Sequence, residues 1–145
     1  MQVMIIPVTP FQQNSTLMWC PETMEGAIID PGGEIERLIG IVKEQDVNLV
    51  KILVTHGHID HAGGVADLAE RMEIPIEGPH KDDQFCIDDL AEQGHRFGTG
   101  ELTQSFTPTR WLEGGDIATF GNITLQVRHC PGHTPGHVIF YHEDL

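Results

Sequence analysis

Four side chains within six positions, His56, His58, Asp60 and His61, form an H-x-H-x-D-H cluster directly after the β-prone run Leu49 to Val54. Imidazole and carboxylate groups are ordinary ligands of zinc, iron and manganese. This composition produces the pattern by chance in roughly two sequences per thousand of this length, so coincidence is a poor explanation. On a helix, positions i and i+2 point nearly opposite ways, whereas at the frayed end of a strand His56 and His58 share a side. Asp60 and His61 then face a second point nearby, which suggests two ions about 3.5 Å apart. The later run His129-Cys130-Pro131-Gly132-His133-Thr134-Pro135-Gly136-His137 supplies further donors in a loop punctuated by glycine and proline. His133 is the expected third ligand for the ion held by His56 and His58.

A strand must deliver the first cluster. Leu49 to Val54 is almost continuously β-prone, the mark of a strand covered on both faces. Before it, Gln2 to Val8, Ser15 to Cys20 and Gly26 to Ile29 read as the short strands of a meander. Asp30-Pro31-Gly32-Gly33 ends the third, and Glu34 to Gln45 carries Ile35, Leu38, Ile39 and Val42 at helical spacing. Gly64 to Met72 reads as a second helix with Val65, Leu68 and Ala69 inward, and the Gly63-Gly64 pair lets it begin close to the metal loop. Ile74-Pro75-Ile76 reads as a short strand. Residues 80–97 are acidic and only partly periodic, which suggests a surface helix with Lys81-Asp82-Asp83 and Asp88-Asp89 as a solvated face. After an irregular connection at 98–110, Asp116 to Phe120 and Ile123 to Arg128 pair around Gly121-Asn122 as a hairpin, and His137 to Tyr141 makes a last strand.

The 145 residues, 39% of them apolar, suit one domain spanning 1–145. Eight Lys+Arg against 22 Asp+Glu leave a formal charge of −14, a field that repels nucleic acid and anionic membrane surfaces. No apolar run approaches the ~20 residues needed to cross a bilayer. Cys20, Cys86 and Cys130 are odd in number and widely spaced, which fits a reducing cytoplasm better than a disulfide framework. Cys130 reads as a small buried hydrophobe rather than a nucleophile. Of the remaining histidines, His80, His95 and His142 read as ordinary surface residues and His129 as a strand-end residue. His137 reads as either a packing residue or a hydrogen-bond partner of a ligand.

THGHIDHAGG at 55–64, CPGHTPGH at 130–137 and AIIDPGG at 27–33 resemble the signature loops of the metallo-β-lactamase fold, and within it the glyoxalase II-like (hydroxyacylglutathione hydrolase-like) thioesterases. The resemblance implies an α/β fold, an αβ/βα four-layer sandwich whose metals lie at the edge of the inner sheets, with the second half incomplete in this chain. It implies His56, His58 and His133 on one ion, Asp60 and His61 on the other, and Asp30 as a brace behind the ligand loop. Members of that family carry a bridging aspartate and a final histidine at later positions, which would lie beyond Leu145. The chain is therefore expected to be the N-terminal portion of a longer protein, with its second metal site incomplete.

The implied reaction is hydrolysis of a glutathione or similar thioester by hydroxide generated at neutral pH on two divalent ions, zinc first, with iron or manganese as alternatives. Asp60 would hold the second ion and orient the hydroxide or take its proton. A thiol with a pKa near roughly 8.5 leaves without a general acid, which suits thioesters better than amides. Two alternatives stand beside this: a mononuclear iron persulfide dioxygenase of the same fold, and a metal-binding fragment without turnover. The expected partner is a small-molecule thioester, not nucleic acid or membrane. Residues 1–145 alone are expected to be nearly inactive and to self-associate through uncovered sheet.

Overall fold

The computed structural model describes residues 1–8, 13–97 and 104–142. Strands β1 (Gln2–Val8), β2 (Gln13–Trp19), β3 (Glu25–Ile29), β4 (Asn48–Leu53) and β5 (Ile76–Glu77) form one sheet in chain order. The first two pairings are antiparallel and the last two parallel. Pro7 is accommodated because β1 lies at the sheet edge, where a missing N–H breaks no ladder. The parallel pairings require crossovers. Helix α1 (Ile35–Glu44) makes the first; α2 (Ile59–Ala62) and α3 (Val65–Met72) make the second. A second sheet holds β6 (Ile117–Phe120), β7 (Ile123–His129) and β8 (Val138–Tyr141), all antiparallel, with Gly121 at φ 54° in the expected hairpin turn.

The two-residue period of the strands sorts their side chains between two cores. Leu17, Ile28 and Ile52 point toward the helices, where they meet Ile35, Leu38 and Val42 of α1 and Val65 and Leu68 of α3. Their neighbours Met18, Ala27 and Leu53 point the other way and pack against Ala118, Phe120 and Leu125 of the second sheet. Helices, five-stranded sheet and three-stranded sheet thus form three successive layers of the expected sandwich. The outer face of the last layer exposes Ile117, Ile139 and Tyr141.

Residues 80–97 correct the sequence expectation. They form a 3-10 turn at Lys81–Asp83, then α4 (Gln84–Asp88) and α5 (Leu90–Phe97), and this segment is no solvated face throughout. Ile87 and Leu90 join the helix-side core, and Asp83 is fully buried. Cys130 also departs from expectation, being exposed, whereas Cys20 and Cys86 are buried. The cause is strand phase: Leu125 and Val127 face inward, so Thr124, Gln126, Arg128 and Cys130 face outward. Residues 98–103 of the irregular connection lie outside the described residues. No helix of the described residues is long and apolar enough to cross a membrane.

Candidate metal centre

Parallel strands carry their C-terminal ends to one edge of the sheet, and loops leaving that edge converge. The end of β3 delivers Asp30, and the end of β4 delivers Thr55 to His61. The β7–β8 loop arrives from the second sheet, joined to the first by Val138 N–H donating to the Thr55 carbonyl at 2.8 Å. Close packing needs small residues here: a Cβ on Gly32 would run into the Asp60 carbonyl, and one on Gly136 into the backbone nitrogen of Asp83.

The chain brings His56, His58 and His133 together, with one ring nitrogen from each within 4.8 Å of the others. His58 Nδ1 and His133 Nε2 are 3.1 Å apart. Donors on one tetrahedral zinc at about 2.0–2.1 Å lie roughly 3.3–3.4 Å from each other, so the spacing fits a shared ion. His56 is the hub: its ring centre lies 4.1 Å from that of His61, 4.7 Å from His137, 4.9 Å from His133 and 5.3 Å from His58.

Asp30 organises this cluster from behind. Its φ of 54° is a left-handed conformation that aspartate tolerates. Its Oδ1 accepts the Thr55 N–H at 2.8 Å, and its Oδ2 accepts the Thr55 hydroxyl at 2.5 Å and His61 Nδ1 at 2.8 Å. Because the Thr55 proton is committed to Asp30, Thr55 Oγ1 can only accept from His56 Nδ1, 2.9 Å away. The proton of neutral His56 therefore sits on Nδ1, and Nε2 carries a bare lone pair. That Nε2 is buried and has no hydrogen-bond partner among the described residues. His61 Nε2, the other ring nitrogen, lies 3.5 Å from Asp60 Oδ2. Asp30, His56 and His61 form a second group of clustered donors, but the oxygens of Asp30 already accept three hydrogen bonds, which makes Asp30 a brace.

Protonation follows the same layout. Burial, reinforced by the surrounding imidazoles, pushes His56 down to about 2, so its lone pair is available across the physiological range. Burial also lowers His137. It would lower His61 as well, but the hydrogen bond and charge of Asp30, with Asp60 beyond, hold His61 above the usual imidazole value.

Several residues escaped the sequence reading. The Asp83 carboxylate accepts Gly57 N–H at 2.9 Å, the Thr134 hydroxyl at 2.8 Å and Gly136 N–H at 2.7 Å, linking the two histidine loops. Gln93, also buried, accepts Ile59 N–H at 3.1 Å and donates to the Cys86 carbonyl at 3.2 Å. The available signal was spacing: Asp83, Cys86, Ile87 and Leu90 fall at i, i+3, i+4 and i+7, which puts a carboxylate on a buried stripe.

His80 is likewise more than an isolated surface residue. Its ring stacks on that of His129 at 3.9 Å and 2°, and its Nδ1 accepts Asp82 N–H. His129 ends β7 as expected and donates from Nε2 to the Pro135 carbonyl. Their clustering with Asp82 does not make an ion site, because lone pairs in two parallel ring planes cannot converge on one ion at about 2.1 Å. Beside the three-histidine cluster opens a cleft of about 680 Å³ lined by His58, Ile59, Asp60, Phe85, Gln93 and Arg96, among others.

The metallo-beta-lactamase superfamily model matches residues 8–145. The hydroxyacylglutathione hydrolase GloC of Haemophilus influenzae is 45% identical over 97% of this chain and 66% of its own length. Among solved structures, the BLEG-1 B3 metallo-beta-lactamase is similar with a TM-score of 0.84 and 32% identity, over 99% of this chain and 68% of that one. TTHA1623 in a di-iron-bound form has a TM-score of 0.80 and 34% identity, over 95% and 66%. The chain thus spans about two thirds of the length of these relatives. On the family match and the fold together, this chain belongs to the metallo-beta-lactamase superfamily.

Proposed function

We propose that this chain carries the metal-binding side chains of a glyoxalase II-type hydrolase acting on a glutathione or similar thioester. His56, His58 and His133 hold one divalent ion; Asp60 and His61 contribute to a second. The observation that carries the reading is the buried Nε2 of His56, fixed as a lone pair by Asp30 and Thr55 and left without a protein partner. An unpaired buried acceptor costs about 1–3 kcal/mol, a cost that a cation at this point removes. Imidazole and carboxylate donors without thiolate suit zinc and also iron, the metal named for TTHA1623. Ions bound here supply Lewis acidity and lower the pKa of water toward neutrality. Asp60, one-third exposed beside the cleft, takes and passes on a proton. The cleft flanking His58 and Asp60 receives the substrate, with Ile59 and Phe85 as its apolar part. The thioester assignment draws on the 45% identity to GloC and on a leaving thiolate that needs no acid from the protein.

The test is thiol release from S-lactoylglutathione by the metal-loaded full-length protein, with oxygen uptake on glutathione persulfide measured in parallel. Hydrolysis that disappears in His58→Ala and His133→Ala supports the proposal. Oxygen uptake without hydrolysis would replace it with a dioxygenase, and metal binding with neither activity would leave a non-catalytic metal protein.

A further inference from the structure

We infer that Asp83 is the positioning residue that sets the three-histidine geometry, by clamping the loop that carries His56 and His58 to the loop that carries His133. The inference rests on the metal reading above and concerns a residue that touches neither ion nor substrate. His56 and His58 come from the end of β4, whereas His133 comes from the turn between β7 and β8 of the other sheet. Three ligands on two separately anchored loops need a fixed spacing, since a displacement of one ångström is a large fraction of a ~2.1 Å bond.

The clamp is built for that purpose. Asp83 is 0% exposed, and its two oxygens accept from both loops: Gly57 N–H, between His56 and His58, and the Thr134 hydroxyl and Gly136 N–H, just after His133. Three donors converging on one buried carboxylate fix the direction of each bond. The surrounding backbone is stitched to the same loop. His80 N–H donates to the Gly136 carbonyl at 3.1 Å, Asp83 N–H donates to the His80 carbonyl at 3.0 Å, and the His80 ring stacks on His129. Glycine is required at both approaches: a Cβ on Gly57 would lie 2.7 Å from Cys86 Cβ, and one on Gly136 would lie 2.7 Å from Asp83 Cβ. An asparagine at 83 keeps the shape but has one acceptor oxygen where three donors converge, so at least one donor meets an amide N–H.

The experiment compares wild type, Asp83→Asn, Thr134→Val and His133→Ala in the full chain. Cobalt(II) affinity is read by chelator competition, the bound cobalt by its visible spectrum, and the apo proteins by thermal melting. Loss of such supporting partners costs about 10–100-fold in affinity. Asp83→Asn is expected to fall in that range with a changed cobalt spectrum. Thr134→Val, which removes one donor and keeps the shape, is expected to lose about 3–10-fold, and it carries the test if Asp83→Asn fails to fold. A purely structural residue would lower the apo melting temperature and leave both affinity and spectrum as in wild type. That result in Asp83→Asn and Thr134→Val, with affinity lost in His133→Ala, overturns the clamp alone. Unchanged affinity in His133→Ala removes the metal reading and the clamp together.

Discussion

Replacing Asp30 by asparagine should reverse the polarity of the relay behind the metal centre while preserving its shape. In the wild type, protons point toward Asp30: Thr55 O–H and His61 Nδ1–H donate to Oδ2, and His56 Nδ1–H donates to Thr55 Oγ1. With asparagine, the carbonyl oxygen keeps the Thr55 N–H, and the amide nitrogen takes the place of Oδ2. That nitrogen donates to Thr55 Oγ1 and His61 Nδ1, and the Thr55 proton turns to His56 Nδ1. Both imidazoles must then carry their proton on the inward Nε2, which blocks the lone pairs proposed to bind metal. Three charge-assisted bonds become neutral ones, each weaker by about 1 kcal/mol, for a loss of about 3 kcal/mol. At roughly 2–4 °C per kcal/mol in a chain of this size, the apo protein melts about 6–12 °C lower but still folds. Metal affinity falls about 10–100-fold at each site. Long-range proton–nitrogen correlation spectra of the apo protein read the tautomers directly, and chelator competition reads the affinity. An Asp30→Asn protein whose His56 and His61 keep their proton on Nδ1, with metal bound as in wild type, would show that the relay does not govern the ligands.

Three further outcomes are expected. Stripping metal with a chelator should lower the melting temperature, because saturation at 100 times Kd stabilises by about 2.7 kcal/mol, or roughly 5–11 °C here; identical melting curves with and without added zinc would count against a folded-state ion. Gly136→Ala should cost about 1–3 kcal/mol in denaturant unfolding, since its Cβ meets the backbone of Asp83 rather than a flexible side-chain end. In the native protein a thiol reagent at pH 8 should modify Cys130 first, whereas Cys86, buried and with its thiol pushed up to about 11, reacts only on unfolding; a Cys130→Ser protein that keeps the fast phase would refute the assignment.

The parts of the molecule that could be read from sequence are those whose physics is local. Ile35, Leu38 and Val42 repeat at helical spacing, Ala118 and Phe120 alternate, and Gly121-Asn122 marks its own turn, so each element could be anticipated from within a few residues. The H-x-H-x-D-H cluster was legible for the same reason. His133 was legible because glycine and proline exposed its loop. Asp83 was not: its donors lie 26, 51 and 53 residues away, and its acidic neighbours Asp82, Asp88 and Asp89 are exposed, which made the whole stretch read as solvated. Cys130 was misplaced through neglect of strand phase, although Leu125 and Val127 fixed it five and three residues earlier.

The crowding of imidazoles around His56 also bears on why this region is not simply core. A histidine serving only to fill space is stable when both ring nitrogens find partners or water. At His56 the fold does the reverse: Asp30 and Thr55 commit the proton to Nδ1, burial keeps the ring neutral, and the remaining lone pair faces His58, His61 and His133 without a donor. The unpaired His56 lone pair is the buried member of a cluster completed by half-buried His58 and exposed His133, and a cation held among the three rings satisfies it. The inter-sheet bond from Val138 to Thr55 holds His133 near the other two from across the seam between the layers, so the packing of Leu53 against Phe120 and Leu125 and the spacing of the ligands belong to one mechanical unit. That mechanical coupling is what the proposed ion site requires, and it fails if the ligand spacing survives disruption of the Leu53–Phe120 packing.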